Sequence, residues 1–181
     1  CEVPSVRKHV DHEIMVLVTS RNAKVDTTGT GLSSPYTAKN FKVVGLSYSY
    51  LFDNSFRYRW GPSIEFSYDE GAGIKSWRQL NPNDGKYYDR IELGKFGERL
   101  SLGLSMKGEI VMPYYSFFAN VGYDVIHANN NFKRLYQIIG IKFNLTDNFF
   151  ATAAIRATHF SKVQYLFLNL GYTIPGKTRN K

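Results

Sequence analysis

Apolar and polar residues alternate with a period of two along most of this chain, the pattern of strands whose two faces meet different surroundings. Over residues 41–51, Val44, Leu46, Tyr48 and Tyr50 share one face, and Val43, Gly45, Ser47 and Ser49 the other. Residues 56–68 repeat this more sharply, with Phe56, Tyr58, Trp60, Ile64, Phe66 and Tyr68 opposite Arg57, Arg59, Ser63, Glu65 and Ser67. Residues 87–111 form a long extended stretch interrupted near Gly97, whose second half sets Leu100, Leu102, Leu104 and Met106 against Arg99, Ser101, Ser105, Lys107 and Glu109. Tyr115, Phe117, Ala119, Val121, Tyr123 and Val125 make a further apolar face, backed by Ser116, Asn120, Gly122 and Asp124. Strands are also expected at 13–19, 132–145, 151–161 and 164–174. Residues 21–40 and 70–86, rich in Gly, Ser, Thr and Asn, read as long loops, and 53–55, 112–113, 146–148 and 162–163 as short turns. No segment has a helical period.

Eight strands joined in sequence predict an all-β fold, an eight-stranded antiparallel up-and-down barrel over residues 12–174. Residues 1–11 read as a polar tether and 175–181 as a basic tail. Alternation alone does not say whether the apolar face points into the barrel or out into lipid. Volume argues for out, because the interior of eight strands only accommodates side chains or one small ligand. Several strands each supply three or more aromatics, too much for that space. The polar face then lines the lumen, where Arg57, Arg59, Arg99, Lys107, Lys142 and Arg156 are expected to pair with Glu65, Glu109 and Asp124. Tyr48, Tyr50, Tyr58, Trp60, Tyr68, Tyr115, Tyr123 and Tyr172 are expected at the membrane interfaces. Long connections at one end and short turns at the other match barrels of the bacterial outer membrane.

Composition agrees with this. Aromatic residues make up 15% of the chain, with 13 Tyr and 15 Gly, a mixture suited to half-buried strands and turns. No apolar run reaches the roughly 18 residues of a transmembrane helix. The net charge of +8 comes from Lys and Arg scattered through strands, loops and tail, which favours an anionic lipid surface over nucleic acid. The single cysteine is Cys1, which excludes an intrachain disulfide. A chain whose first residue is Cys has the form of a mature bacterial lipoprotein, so Cys1 is the expected acylation site. His9, His12 and His127 show no metal-ligand spacing.

Chemistry is suggested in one place. Along 151–161, Thr152, Arg156 and Thr158 take one face, while Ala151, Ala153, Ile155, Ala157, His159 and Ser161 take the other. A histidine and a serine two apart thus end an otherwise apolar, outward face. A two-residue turn at Lys162-Val163 would set Ser161 opposite Gln164, bringing His159, Ser161 and Gln164 onto one patch. Serine, an imidazole base and a polar group that orients the ring are the parts of an ester-hydrolysing site. On a membrane-facing wall the esters within reach are those of lipids.

The chain resembles the lipid A 3-O-deacylase (PagL) family of eight-stranded outer-membrane barrels. The resemblance rests on Ile139-Gly140-Ile141-Lys142-Phe143, a short turn, Ala154-Ile155-Arg156-Ala157-Thr158-His159-Phe160-Ser161, and a closing strand at 164–174. It implies His159 as base, Ser161 as nucleophile, lipid A as substrate and no cofactor. The family's catalytic acid aligns with Gln164, whose carbonyl can orient the imidazole but cannot stabilise imidazolium as a carboxylate does. The family's Asn after the serine aligns with Lys162, a candidate for the oxyanion or a lipid phosphate. Three readings are carried forward: a lipid A deacylase-type hydrolase, a catalytically silent barrel lipoprotein serving as subunit or scaffold of a larger outer-membrane complex, and a soluble lipid-binding barrel.

Overall fold

The computed structural model describes residues 9–25, 37–53, 57–80, 82–83, 85, 87–127, 134–158 and 162–176. Eight strands close into an antiparallel barrel: β1 (Val10–Val25), β2 (Thr37–Asp53), β3 (Tyr58–Asp69), β6 (Leu100–Val111), β7 (Tyr115–His127), β8 (Leu135–Asn144), β9 (Phe149–Thr158) and β10 (Lys162–Pro175). Neighbours in sequence pair in space, and β1 pairs with β10 from Asp11 opposite Pro175 to Val18 opposite Leu168, which closes the barrel. Two further strands, β4 (Lys75–Leu80) and β5 (Tyr87–Glu92), pair only with each other.

The start of β1 and the end of β10 share one rim with the short connections between β6 and β7 and between β8 and β9. Backbone bonds close this lower rim: Asp53 N–H donates to the His9 carbonyl at 2.9 Å, Gly176 N–H to Val10 at 2.8 Å and Thr173 N–H to Asn148 at 2.7 Å. The end of β1, the start of β2, the end of β3 and the end of β9 belong to the upper rim.

Two expected loops contain strand residues. β1 and β2 continue to Val25 and back to Thr37, paired as far as the last rung. Ladder bonds need no apolar face, so pairing outlasts the alternation that marks the membrane-facing part. The expected loop at 70–86 contains β4, and the expected long stretch at 87–111 divides into β5, a short 3-10 turn (Phe96–Arg99) and β6. Gly73 and Gly85 adopt φ of +72° and +63°, left-handed conformations that favour glycine and turn the chain into and within this hairpin.

The apolar face points outward. Val16, Leu46, Ile64, Leu104, Val121, Ile155 and Leu168 are all exposed in a continuous wall, while Ser49, Ser63, Lys107, Glu109, Asn120 and Thr152 are buried in the lumen. Such an exterior suits a hydrocarbon surround and excludes the soluble carrier, which would turn it inward. Aromatics gather near the lower rim: Phe52 packs on Trp60 with ring centres 5.6 Å apart, Phe149 on Tyr172 at 4.8 Å, and the Tyr48 hydroxyl lies 2.6 Å from His12 Nδ1.

The lumen holds more aromatic volume than the sequence pattern suggests, since Phe41, Phe118, Tyr136, Phe150 and Phe167 all lie inside. Glycines on facing strands make the room. A Cβ at Gly122 would fall within the Tyr136 ring, and one at Gly171 within the Phe150 ring.

Charges fill the rest. Glu13, which the sequence reading treated only as the start of a strand, lies at the centre of the lower lumen, where it accepts from Lys107 Nζ at 2.6 Å and from Lys142 Nζ. Lys142 also lies 3.3 Å from Glu109. Higher up, Arg156 Nη2 donates to both Asp124 carboxylate oxygens at 2.9 Å, its guanidinium stacks 3.9 Å from the Tyr136 ring centre, and Nη1 is 3.7 Å from Glu65. The other expected lumen cations sit at the rims. Arg59 pairs with Asp53 at 2.8 Å and Asp11 at 3.4 Å, Arg99 donates to the Gly94 carbonyl and the Tyr68 hydroxyl at 2.9 Å each, and Arg57 is exposed.

Candidate active site

The histidine and serine of the sequence motif, His159 and Ser161, lie outside the described residues, as do Cys1 and the side chain of Lys162. The wall leading to them is described. β9 alternates as expected, with Thr152, Ala154, Arg156 and Thr158 buried inside and Ala151, Ala153, Ile155 and Ala157 on the outer face. Arg156 holds the strand from within through Asp124 and Tyr136, one residue before the last outward side chain, Ala157.

The return strand departs from expectation. Lys162 and Val163 are not a turn but strand residues, paired with Thr158 and Ala157. The register then shifts, and Tyr165 pairs with Arg156, which leaves Gln164 as the extra residue of a bulge. Gln164 therefore has no rung opposite Ser161 across a two-residue loop. Periodicity could not show this, because a single inserted residue is invisible until both strands are laid side by side.

The row next to Gln164 contains a residue that sequence reasoning missed. Gln137 on β8 pairs with Ala157, which pairs in turn with Val163. Tyr136 and Ile138 face the lumen, so Gln137 occupies an outward register position, yet it is only 3% exposed. Its outward companions on β8 are Leu135, Ile139, Ile141 and Phe143, so the signal was a lone polar residue on an apolar face. Register thus brings Gln137 of β8 into one row with Ala157 of β9 and Val163 of β10, and Gln164 follows next along β10. An amide of this kind both donates and accepts, so it can hold an imidazole ring or a developing oxyanion. Among the described residues no group of His, Cys, Asp and Glu side chains has the geometry to hold a metal ion.

Comparison with solved structures finds barrels of low sequence identity. The attachment invasion locus protein Ail of Yersinia pestis is 14% identical, with 92% of this chain and 99% of that one covered and a TM-score of 0.45. An outer membrane channel from Pseudomonas putida F1 is 8% identical, with 94% and 97% covered and a TM-score of 0.36. No curated protein sequence matches the chain. The profile of the acyloxyacyl hydrolase C-terminal domain family, PagL_C, matches residues 13–177, which is nearly the entire barrel. The chain belongs to this acyloxyacyl hydrolase (PagL-like) family of bacterial outer-membrane β-barrels.

Proposed function

We propose that this barrel is a lipid A deacylase-type ester hydrolase, with Ser161 as nucleophile, His159 as general base and Gln164 as the group that orients the imidazole. The observation that carries this reading is the outward, apolar face of β9, ending at Ala157 in the row of Gln137, in a chain matched to the acyloxyacyl hydrolase family from residue 13 to 177. Esters of lipid acyl chains are the substrates such a wall can reach. The serine hydroxyl adds to the acyl carbonyl as His159 takes its proton, and the alkoxide of the sugar leaves with that proton. Water then releases the fatty acid from the acyl-serine by the same route. Lys162 is the candidate donor to the oxyanion in this scheme.

Lipid A from cells making the wild type or Ser161→Ala is compared by mass spectrometry. Loss of one acyl chain with wild type alone is the expected result. Replacing a carboxylate orienter by an amide costs on the order of 10⁴-fold in the serine protease triad. Gln164→Glu is therefore expected to raise the rate by about 10²-fold or more, and no gain would remove Gln164 from the site.

The absent carboxylate favours a second reading, a silent barrel that acts as a subunit or scaffold of an outer-membrane assembly. Unchanged lipid A with a folded barrel, together with defined protein partners after gentle solubilisation, would establish it.

A further inference from the structure

We propose that the upper barrel wall is split between β1 and β10, and that this split admits the end of one lipid acyl chain into the lumen cavity behind it. The proposal applies to a hydrolase and to a silent barrel alike, because it concerns where a chain lies and not whether its ester is cut.

Register is the first ground. The ladder between β1 and β10 ends at Val18 opposite Leu168. Both strands go on beyond it, since β1 stays paired with β2 as far as Val25 and β10 with β9 as far as Lys162. One more rung would set Thr19 opposite Phe167, and further rungs would reach the top of β10, yet none forms among these described residues. A side chain takes over where the ladder stops: Thr19 Oγ1 donates to the Leu166 carbonyl at 2.6 Å. The bulge at Gln164 lies in the same unpaired part of β10, and a bulge bends its strand and ends pairing.

What lies on either side of the split is the second. Val163 and Leu166, in the part of β10 that β1 leaves unpaired, are exposed on the outer wall, so the split borders hydrocarbon on its outer side. Backbone without a strand partner at membrane depth is tolerated only where it is buried in protein or faces a cavity. A cavity lies directly inside. Met15 and Leu17 of β1 line it from one side of the seam and Tyr165 and Phe167 of β10 from the other, with Phe118 and Ile138 contributing from β7 and β8. Tyr165 and Phe167 stand above the last rung, so cavity and split overlap in height. On the polar side of the cavity Asn120 already donates to Glu65 at 3.2 Å, whereas the apolar side chains gain by contact with another apolar group. The medium outside the split consists of lipid acyl chains, and the end of such a chain has the chemistry of the apolar wall.

The purified barrel is reconstituted into vesicles of phosphatidylethanolamine and phosphatidylglycerol that contain a small share of phosphatidylcholine with a diazirine at the end of one acyl chain. After illumination, labelled residues are located by peptide mass spectrometry. Adducts on the inward side chains of Leu17, Tyr165 and Phe167 are expected beside those on Leu166 and Leu168, which face lipid in any case. The Ser161→Ala form is labelled in parallel, so that hydrolysis of the probe is not mistaken for its exclusion. Leu17→Phe fills part of the cavity and is expected to lower the inward adducts by about fivefold or more relative to the outward ones. Adducts confined to outward side chains overturn the proposal. So does a folded Leu17→Phe barrel that keeps its inward adducts in full.

Discussion

The lower and upper parts of the lumen solve the same problem differently. Below, Glu13 and Glu109 face Lys107 and Lys142, two charges of each sign, and Glu13 bridges both lysines from the middle of the barrel. Phe118 and Phe150 cover the two ammonium groups, whose nitrogens lie 5.1 Å and 4.4 Å from the ring centres. Above, Arg156 serves Asp124 closely and Glu65 loosely, and a cavity remains beside them. The comparison teaches that a small barrel can be plugged by a balanced ion cluster over one part of its length and still keep a cavity over the next. A plug of this kind is held together by mutual compensation, so removing its central member leaves two buried charges exposed to each other. Glu65 in the upper lumen accepts from the neutral Ser105 and Asn120, which an amide in its place can still satisfy.

Glu13→Ala is the sharpest test of that contrast. Breaking a buried charge pair costs about 3–5 kcal/mol, and here two lysines lose one partner. Urea unfolding of the barrel in lipid vesicles, followed by tryptophan fluorescence, is expected to show at least that loss. A loss below about 1 kcal/mol would mean that the lower cluster does not bear on stability.

Arg156→Lys comes next. Lysine retains the charge but not the planar group that spans Asp124 and stacks on Tyr136. The expected cost is about 1.5–3 kcal/mol in the same assay, the range for a hydrogen bond to a charged group.

Glu65→Gln is expected to have the smallest effect. It should lie within about 1 kcal/mol of wild type in the same assay, because the amide keeps the shape and its oxygen still accepts from Ser105 and Asn120. A cost equal to that of Glu13→Ala would erase the distinction between the two parts of the lumen.

Much of the fold was legible because an outer-membrane strand has a different solvent on each face. Lipid outside and a polar lumen inside write a strict period of two, and the outward sets headed by Leu46, Trp60, Leu104 and Val121 are those that the alternation assigns. The hairpin of β4 and β5 was not legible, since residues 75–80 and 87–92 carry no strict alternation of apolar and polar side chains. Glu13 was missed for a related reason. One acid among alternating residues says which face it takes, but its value as a bridge depends on β6 and β8, which lie 94 and 129 residues away at Lys107 and Lys142.

The rim shows the same division more finely. Sequence alone determined that β9 turns alanines and Ile155 to lipid and Arg156 to the lumen, because side-chain direction follows from position along a strand. It also carried the family signature, which is a matter of residue order. Only the tertiary structure decided that Gln164 sits at a bulge and that Gln137, 27 positions earlier, shares the outer wall with Ala157 and Val163. Register between strands is a property of the pair, set by packing and hydrogen bonds that neither strand encodes by itself.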